Sequence, residues 1–574
     1  MRTLAKHLKA YLLYCVLGPL FKLLEVVFEL YVPLVVKDLI ENGIKYSDIT
    51  YIEISALKIV LLGLLGFLSA LSAQLFAAKA STHAVGDLKK DLFSHIQKLS
   101  FNQLESIGQS TLYSRLTSDM NQIQTGVNLA LRLLLRSPFV VFGAMVMAFT
   151  VNVKSAVYFV IVIPILFAFT FAILLITIPM FSNQQKALDG IVNTSRENLN
   201  GTRVIRAFRH EQEEVKEFAL KTGSLSHLQK ISSSISAILN PFTTILVNLF
   251  ILCLIHNGYM QFNSGTITQG EVLALYNYMS MILVELIKLS NLIITITKAI
   301  SSANRVEQIL DIVPEDIPSV VLASHTCTQD NSIVFEDVNY HYPDSTVSII
   351  ENISFNLKPG ESLGVIGGIG SGKSTLGHLI AGYYTPSKGK VLINGNDPCL
   401  CDPNTIRDHV GYVFQRASLS SGTVRSNLLW GNPKATDSDM KDALTIAQAW
   451  TYVEEKTGLD TIVERDGKNF SGGQRQRLCI ARALIKKPSI LILDDSSSAL
   501  DYITEAKLRI SLSALPWKPT IIIISQRISS IQHCDHILVL DKGKNAGYGT
   551  HEELIKNSNE YRDIAISQGM EVIA

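Results

Sequence analysis

Residues 367–374 read G-G-I-G-S-G-K-S and fit G-x-x-x-x-G-K-[ST], a loop whose successive backbone N–H groups cradle an anion. Gly367, Gly368, Gly370, Ser371 and Gly372 form the cradle, Lys373 reaches toward β- and γ-phosphates, and the Ser374 hydroxyl suits Mg²⁺. Before the loop, 362–366 (S-L-G-V-I) reads as a short buried strand. After it, Thr375 opens a helix over 375–381 whose positive N-terminus faces the phosphates. The sequence therefore predicts nucleoside triphosphate binding in an α/β domain.

Working outward, 574 residues suffice for two to four domains, and a net charge of +1 gives no overall basic field for nucleic acid. The apolar residues, 47% of the chain, concentrate before residue 300. The seven cysteines, at 15, 253, 327, 399, 401, 479 and 534, are scattered and do not form a disulfide framework. Cys399 and Cys401 lack companion ligands at metal-binding spacing and read as incidental thiols. The basic start, M-R-T-L-A-K-H-L-K-A, leads into an apolar run longer than a signal core, which predicts a retained membrane helix.

Six apolar segments, near 12–40, 55–78, 133–152, 155–180, 236–257 and 270–300, approach the roughly 20 residues a bilayer requires. The connection 79–132 carries six Lys and Arg and 181–234 carries eight, whereas the opposite connections carry Lys45 and Lys154. The positive-inside rule then places both termini, both long connections and the phosphate loop in the cytoplasm. Leu88, Leu92, Ile96 and Leu99 repeat at helical spacing, as do Val204, Ala207 and Phe208. Membrane helices are thus expected to continue beyond the bilayer and end in short cross-helices that touch the nucleotide domain. Lys22, Glu25 and Glu29 share one face of the first span, and Glu285 and Lys288 pair in the sixth. Ionisable groups at such depth either line a cavity for cationic or zwitterionic amphiphiles or lock helices together, and both readings stay open.

From about 314 to 332 prolines and polar residues replace the helical pattern, which divides the chain into a membrane domain (1–315), a linker (316–332) and a soluble domain (333–574). In the soluble part, Tyr342 is placed to stack on adenine. Residues 490–493 form an apolar strand ending in Asp494, an acid suited to the Mg²⁺ that Ser374 also contacts. Gln415 is placed to sense the metal or the attacking water. Ser471, Gly472, Gly473 and Gln474 open a second helix and offer a second anion site. Two phosphate clamps are redundant on one ATP in one chain, but they fit two subunits packed head to tail.

The order Tyr342, phosphate loop, Gln415, S-G-G-Q, I-L-I-L-D-D, S-A-L-D (498–501) and S-Q-R (525–527) resembles the ATP-binding cassette (ABC) domain. Its fusion to six preceding spans resembles an exporter half-transporter, as do 108–119, 197–208 and 549–554. The resemblance implies a membrane all-α six-helix domain joined to an α/β P-loop ATPase with an α-helical subdomain. It also implies ATP and Mg²⁺ as cofactors, and a dimer in a lipid bilayer whose S-G-G-Q closes over the other subunit's ATP.

Two departures from the family are expected to matter. The position after Asp494, the Walker B aspartate of the resemblance, carries a glutamate base in the family and Asp495 here; the family's switch histidine is replaced by Gln526, in S-Q-R. Losing one methylene withdraws the carboxylate by roughly 1.5 Å, and a misplacement of about 1 Å can cost on the order of 100-fold in rate. Gln526 can donate a hydrogen bond but cannot titrate near neutral pH. Among the candidate catalytic residues Asp495, Gln526 and Gln415, two are thus expected to slow hydrolysis. The signature, 470–474, departs only in Phe470. This pattern resembles the degenerate-site member of heterodimeric exporters of small amphipathic compounds, whose partner subunit carries Glu and His at the matching positions. A homodimeric pump, a lipid or hydrophobic-peptide exporter, and an ATP-gated regulator that does not pump share the same architecture.

Overall fold

The computed structural model describes residues 2–314, 332–342, 345, 347–398 and 403–570. The expected linker, Ser332 apart, lies outside the described residues, as do Cys327, Cys399 and Cys401. Cys15, Cys253, Cys479 and Cys534 are free thiols. The chain divides into two compact units, Met1–Lys98 with Gln109–Ile312, and Leu99–Gly108 with Val313–Ala574.

The first unit is helical. Its principal helices are Leu12–Asp38, Ile49–Ile96, Met120–Leu133, Arg136–Val151, Val153–Asn200, Glu211–Asn263 and Gln269–Leu310. Local chemistry starts them: Asp48 and Asn152 accept N-terminal N–H groups of their helices, and Thr268 with Glu271 forms a capping box. Helices of 48 residues run about 72 Å, more than twice a hydrocarbon core of roughly 30 Å. Each of the two long connections contains a seven-residue helix, Thr202–Phe208 in this unit and Phe101–Ile107, which belongs to the second. Leu88, Leu92, Ile96 and Leu99 are buried, whereas Val204 and Phe208 are exposed. Close approach explains the small residues. Ala73, Ala77, Ala80 and Ala84 are fully buried, and a Cβ at Gly18 would lie 3.4 Å from the Ala77 nitrogen.

Among the described residues, four helices are long and apolar enough to cross a membrane, or five if the bent pair Thr3–Ala10 and Leu12–Ile44 counts as one span. The expected segment 270–300 does form a helix, Gln269–Leu310, but it is not one of these. Glu271, Glu285, Lys288, Lys298, Arg305 and Glu307 interrupt its apolar character.

The second unit contains strands β1 (Ile333–Tyr340), β2 (Ile350–Leu357), β3 (Ser362–Gly367), β4 (Lys388–Ile393), β5 (Val410–Val413), β6 (Gly422–Thr423), β7 (Ile462–Val463), β8 (Ile490–Asp494), β9 (Thr520–Ile524), β10 (His536–Asp541) and β11 (Lys544–Gly549). A three-stranded antiparallel sheet has the order β2-β1-β4, and a six-stranded sheet has the order β11-β10-β3-β9-β8-β5. In the larger sheet β10, β3, β9, β8 and β5 are parallel. The five residues of β8 are all buried, as a central strand covered on both faces requires. A helical layer built on Gly472–Leu484 encloses a second core around Val453, Phe470, Leu478 and Ile480. The fold is thus a long-helix, all-α unit joined to an α/β unit with a mainly parallel sheet.

Candidate nucleotide site

Parallel topology gathers the site. β3, β8 and β9 are neighbours in the sheet, and their carboxyl ends lie side by side, with Val365 and Asp494 both in register with Ile524. Loops leaving that edge form the crevice where open α/β sheets bind ligands. A cavity of ≈ 350 Å³ there is lined by Tyr342, Gly370, Ser371, Gly372, Lys373, Ser374, Thr375, Gln415, Asp494, Asp495 and Gln526. Residues separated by nearly 190 positions in sequence therefore share one site. Gly367 and Gly368 bound the loop, where their carbonyls accept from Lys373 Nζ at 2.9 and 2.6 Å.

The loop fits a polyphosphate. Gly370 and Gly372 have φ of +78° and +92°, and a Cβ at Gly372 would stand 2.7 Å from Ile350 Cδ1. Gly372 caps the helix Lys373–Ile380 without a side-chain partner, leaving its first N–H groups directed outward. The buried Ser371 hydroxyl has no protein partner, as expected of a donor meant for a ligand. The Tyr342 hydroxyl lies 3.4 Å from Thr375 Oγ1.

Oxygen donors converge beside the loop. Ser374 Oγ donates to Asp494 Oδ1 at 3.2 Å, and the Tyr412 hydroxyl donates to Oδ2 at 3.0 Å. Gln415 Nε2 donates to Asp495 Oδ2 at 3.4 Å. A hydroxyl, an amide and a carboxylate suit the hard cation Mg²⁺, which ordinarily takes few protein ligands and completes its shell with phosphates and water. Burial pushes the Asp494 carboxyl above its ordinary pKa against the opposing bonds from Tyr412 and Ser374. Burial likewise raises Asp495, and it lowers Lys373 against the pull of Asp495 and Asp494. A bound divalent cation would reverse the cost for both acids. Asp495 has φ of +45°, a left-handed conformation that Asp tolerates better than most side chains.

The S-G-G-Q segment does not line this cavity. Ser471 and Gln474 form a reciprocal capping box, with bonds of 3.3 and 3.0 Å, at the start of Gly472–Leu484. Ser471 and Gly472 are exposed. A Cβ at Gly473 would press on the Ala499 carbonyl at 2.8 Å, so glycine there permits close packing against the loop after Asp495.

Two contributors escape sequence reading. Tyr412 reaches Asp494 because Gly377 leaves room, since a Cβ there would lie 2.9 Å from the Tyr412 hydroxyl. Gln568 donates to the Gln526 carbonyl at 2.8 Å and accepts from Ile528 N at 2.9 Å, tying the end of the helix Asn559–Ser567 to the Gln526 backbone. The one available signal was the position of Tyr412 in the strand that delivers Gln415. Nothing local marks Gln568.

Residues 15–286 match the family model for the ABC transporter transmembrane region, and residues 350–498 match the family model described as ABC transporter. The chain is 33% identical over 569 residues to the uncharacterized ABC transporter ATP-binding protein YfiB of Bacillus subtilis, covering 99% of this chain and 98% of that protein. It is 30% identical over 544 residues, 93% of each chain, to a Rickettsia felis protein described as an export ATP-binding/permease protein. The solved structure of a bacterial Atm1-family ABC exporter with ATP bound superposes with a TM-score of 0.81 at 22% identity, covering 99% of both chains. The chain therefore belongs to the ABC transporters, as an ATP-hydrolysing membrane protein whose exporter-type transmembrane domain and ATPase are fused.

Proposed function

We propose that this chain is one half of a heterodimeric exporter of amphipathic or hydrophobic compounds, and that its own phosphate loop forms a holding site for ATP. Lys373 and the loop amides bind the phosphates, Tyr342 meets the base, and Ser374, Asp494 and Gln415 hold Mg²⁺. The observation that carries the reading is the composition of the cavity. The two positions beside the phosphate loop that would activate water hold Asp495 and Gln526. Asp495 has a short reach and Gln526 cannot take up a proton.

The exposed Ser471–Gln474 cap supplies its amides to the partner's ATP, where a glutamate and a histidine carry out turnover. Exposure of Val204 and Phe208, at 61% and 71%, supports a second subunit that covers them. Both termini and the ATPase face the cytoplasm, by the distribution of Lys and Arg.

Nucleotide turnover of the purified chain in lipid, alone and with its partner, tests the proposal. Turnover alone should be slow, and Asp495→Glu with Gln526→His should raise it by about 10- to 100-fold. Brisk turnover of the unaltered chain alone, or no gain from the double substitution, would overturn it.

A further inference from the structure

Six charged residues of the membrane unit form a cluster centred on Arg136, which lies inside the segment 133–152. Its guanidinium pairs with Glu285, with Glu29 at 2.8 Å and, more distantly, with Glu25 at 3.9 Å. Lys22 Nζ donates to both oxygens of Glu25, at 2.8 and 2.6 Å, and Lys288 Nζ donates to Glu285 at 2.9 Å. Three acids thus face three bases.

These charges are unequally spent. Glu285 accepts from Arg136, Lys288 and Ser137, and its side chain is 4% exposed. Arg136 is 8% exposed, and Lys22 and Glu25 are 11% and 16% exposed and engaged with each other. Glu29 and Lys288 are different, with side chains 44% and 47% exposed. Both line a cavity of ≈ 480 Å³ that Glu285, held by Lys288 and Arg136, also reaches, and whose remaining wall is largely apolar, including Val32, Pro33, Val140 and Met281.

We infer that this cavity selects a zwitterionic amphiphile, with Glu29 taking the ligand's cationic group and Lys288 its anionic group. The inference rests on the export reading above and names its substrate class. The cluster is neutral as it stands, with Glu29 paired to Arg136 and Lys288 to Glu285, so a singly charged ligand would leave a net charge there, a cost that grows away from bulk water, whereas a zwitterion would not. Selectivity follows from penalising both singly charged classes. Glu25, the other acid of the first span, does not line the cavity, and Lys22 holds both of its oxygens.

The test is equilibrium binding of three probes with the same dodecyl chain (dodecylphosphocholine, dodecyltrimethylammonium and dodecyl phosphate) to the full-length protein with its partner in lipid nanodiscs. Dodecylphosphocholine should bind about ten-fold or more tighter than either singly charged probe. Glu29→Gln should shift the preference to dodecyl phosphate, and Lys288→Met to dodecyltrimethylammonium, with ATP binding unchanged as evidence of folding. Equal affinity for all three probes, or a preference for the cation in the unaltered protein, overturns the zwitterion assignment alone. Failure of every probe to bind, with ATP binding intact, overturns the amphiphile-export reading as well.

Discussion

The Tyr412 hydroxyl donates to Asp494 at 3.0 Å and, with Ser374 on the other oxygen, fixes the plane of that carboxylate beside the phosphate loop. Burial and the neighbouring negative charge push the phenol's pKa well up, so Tyr412 remains a donor throughout the physiological range. Tyr412→Phe removes one hydrogen bond to a charged acceptor, which is worth about 1.5–3 kcal/mol. Binding of Mg²⁺-ATP should weaken by about ten-fold, while binding of metal-free ATP should change much less. Equal loss in both would remove Tyr412 from metal positioning.

Asp494 gives a pH prediction. Its folded pKa lies above the ordinary carboxylate value because of burial. Between those two values the folded state keeps a proton that the unfolded chain has lost, so ligand-free stability falls as pH rises through the window. At neutral pH the full cost of the buried charge is present. Asp494→Asn should therefore raise the ligand-free melting midpoint at pH 7 and abolish Mg²⁺-dependent tightening of ATP binding. In the native protein that tightening should fade on acidification at a higher pH than an exposed aspartate would give. Differential scanning measurements and Mg²⁺ titrations across pH check both statements.

Phe101, on the short helix Phe101–Ile107, stacks on Tyr383 with centroids 5.4 Å apart and meets the edge of His378 at the same distance. Glu105 on that helix accepts from the Tyr384 hydroxyl at 3.1 Å, and Asn102 from the Tyr340 hydroxyl at 3.2 Å. Tyr340 and Tyr384 stack in turn, and Tyr342 meets both edge-on. An aromatic chain thus runs from this helix to a wall of the nucleotide cavity. Phe101→Ala should reduce stimulation of ATP turnover by the proposed amphiphilic substrate by about ten-fold or more while leaving ATP affinity within about two-fold. Turnover assays with and without substrate, together with ATP titration, would show it.

Arg136 is the membrane unit's most exacting side chain. Arg136→Leu strands Glu285, whose side chain is 4% exposed, and leaves Glu29 and Glu25 without the guanidinium. Breaking such a buried set costs about 3–5 kcal/mol, enough to lower the yield of folded protein severely. Adding Glu285→Gln to Arg136→Leu should restore much of the yield, because it removes the uncompensated charge. Fluorescence-detected size exclusion of the single and double variants would measure this, and a single variant as stable as the native chain would contradict the pairing.

Much of the nucleotide half is legible in the sequence. A phosphate loop is a local device, so glycine spacing, Lys373 and Ser374 are sufficient to announce it. The run 490–494 likewise reveals a buried strand ending in acid because its burial is continuous along the chain. The membrane half was legible as apolar segments, the charge-interrupted segment 270–300 excepted. Its charged cluster was only half visible. Glu25, Glu29, Glu285 and Lys288 announce themselves at helical spacing, yet Arg136 sits alone on its own helix and pairs across distances of 107 and 149 residues in sequence. Tyr412 to Asp494 and Gln568 to Gln526 are likewise bonds between remote segments.

By itself the sequence determined which chemical groups the chain owns and which local shapes they favour. Hydrogen-bonded turns, helical spacing and the cost of charge in apolar runs are all written over a few neighbouring residues. Only the tertiary structure decided which acid met which base, and hence that Glu29 and Lys288 were left facing a cavity. Those pairings depend on contacts that close large loops, and no local pattern encodes which distant partner a side chain will reach.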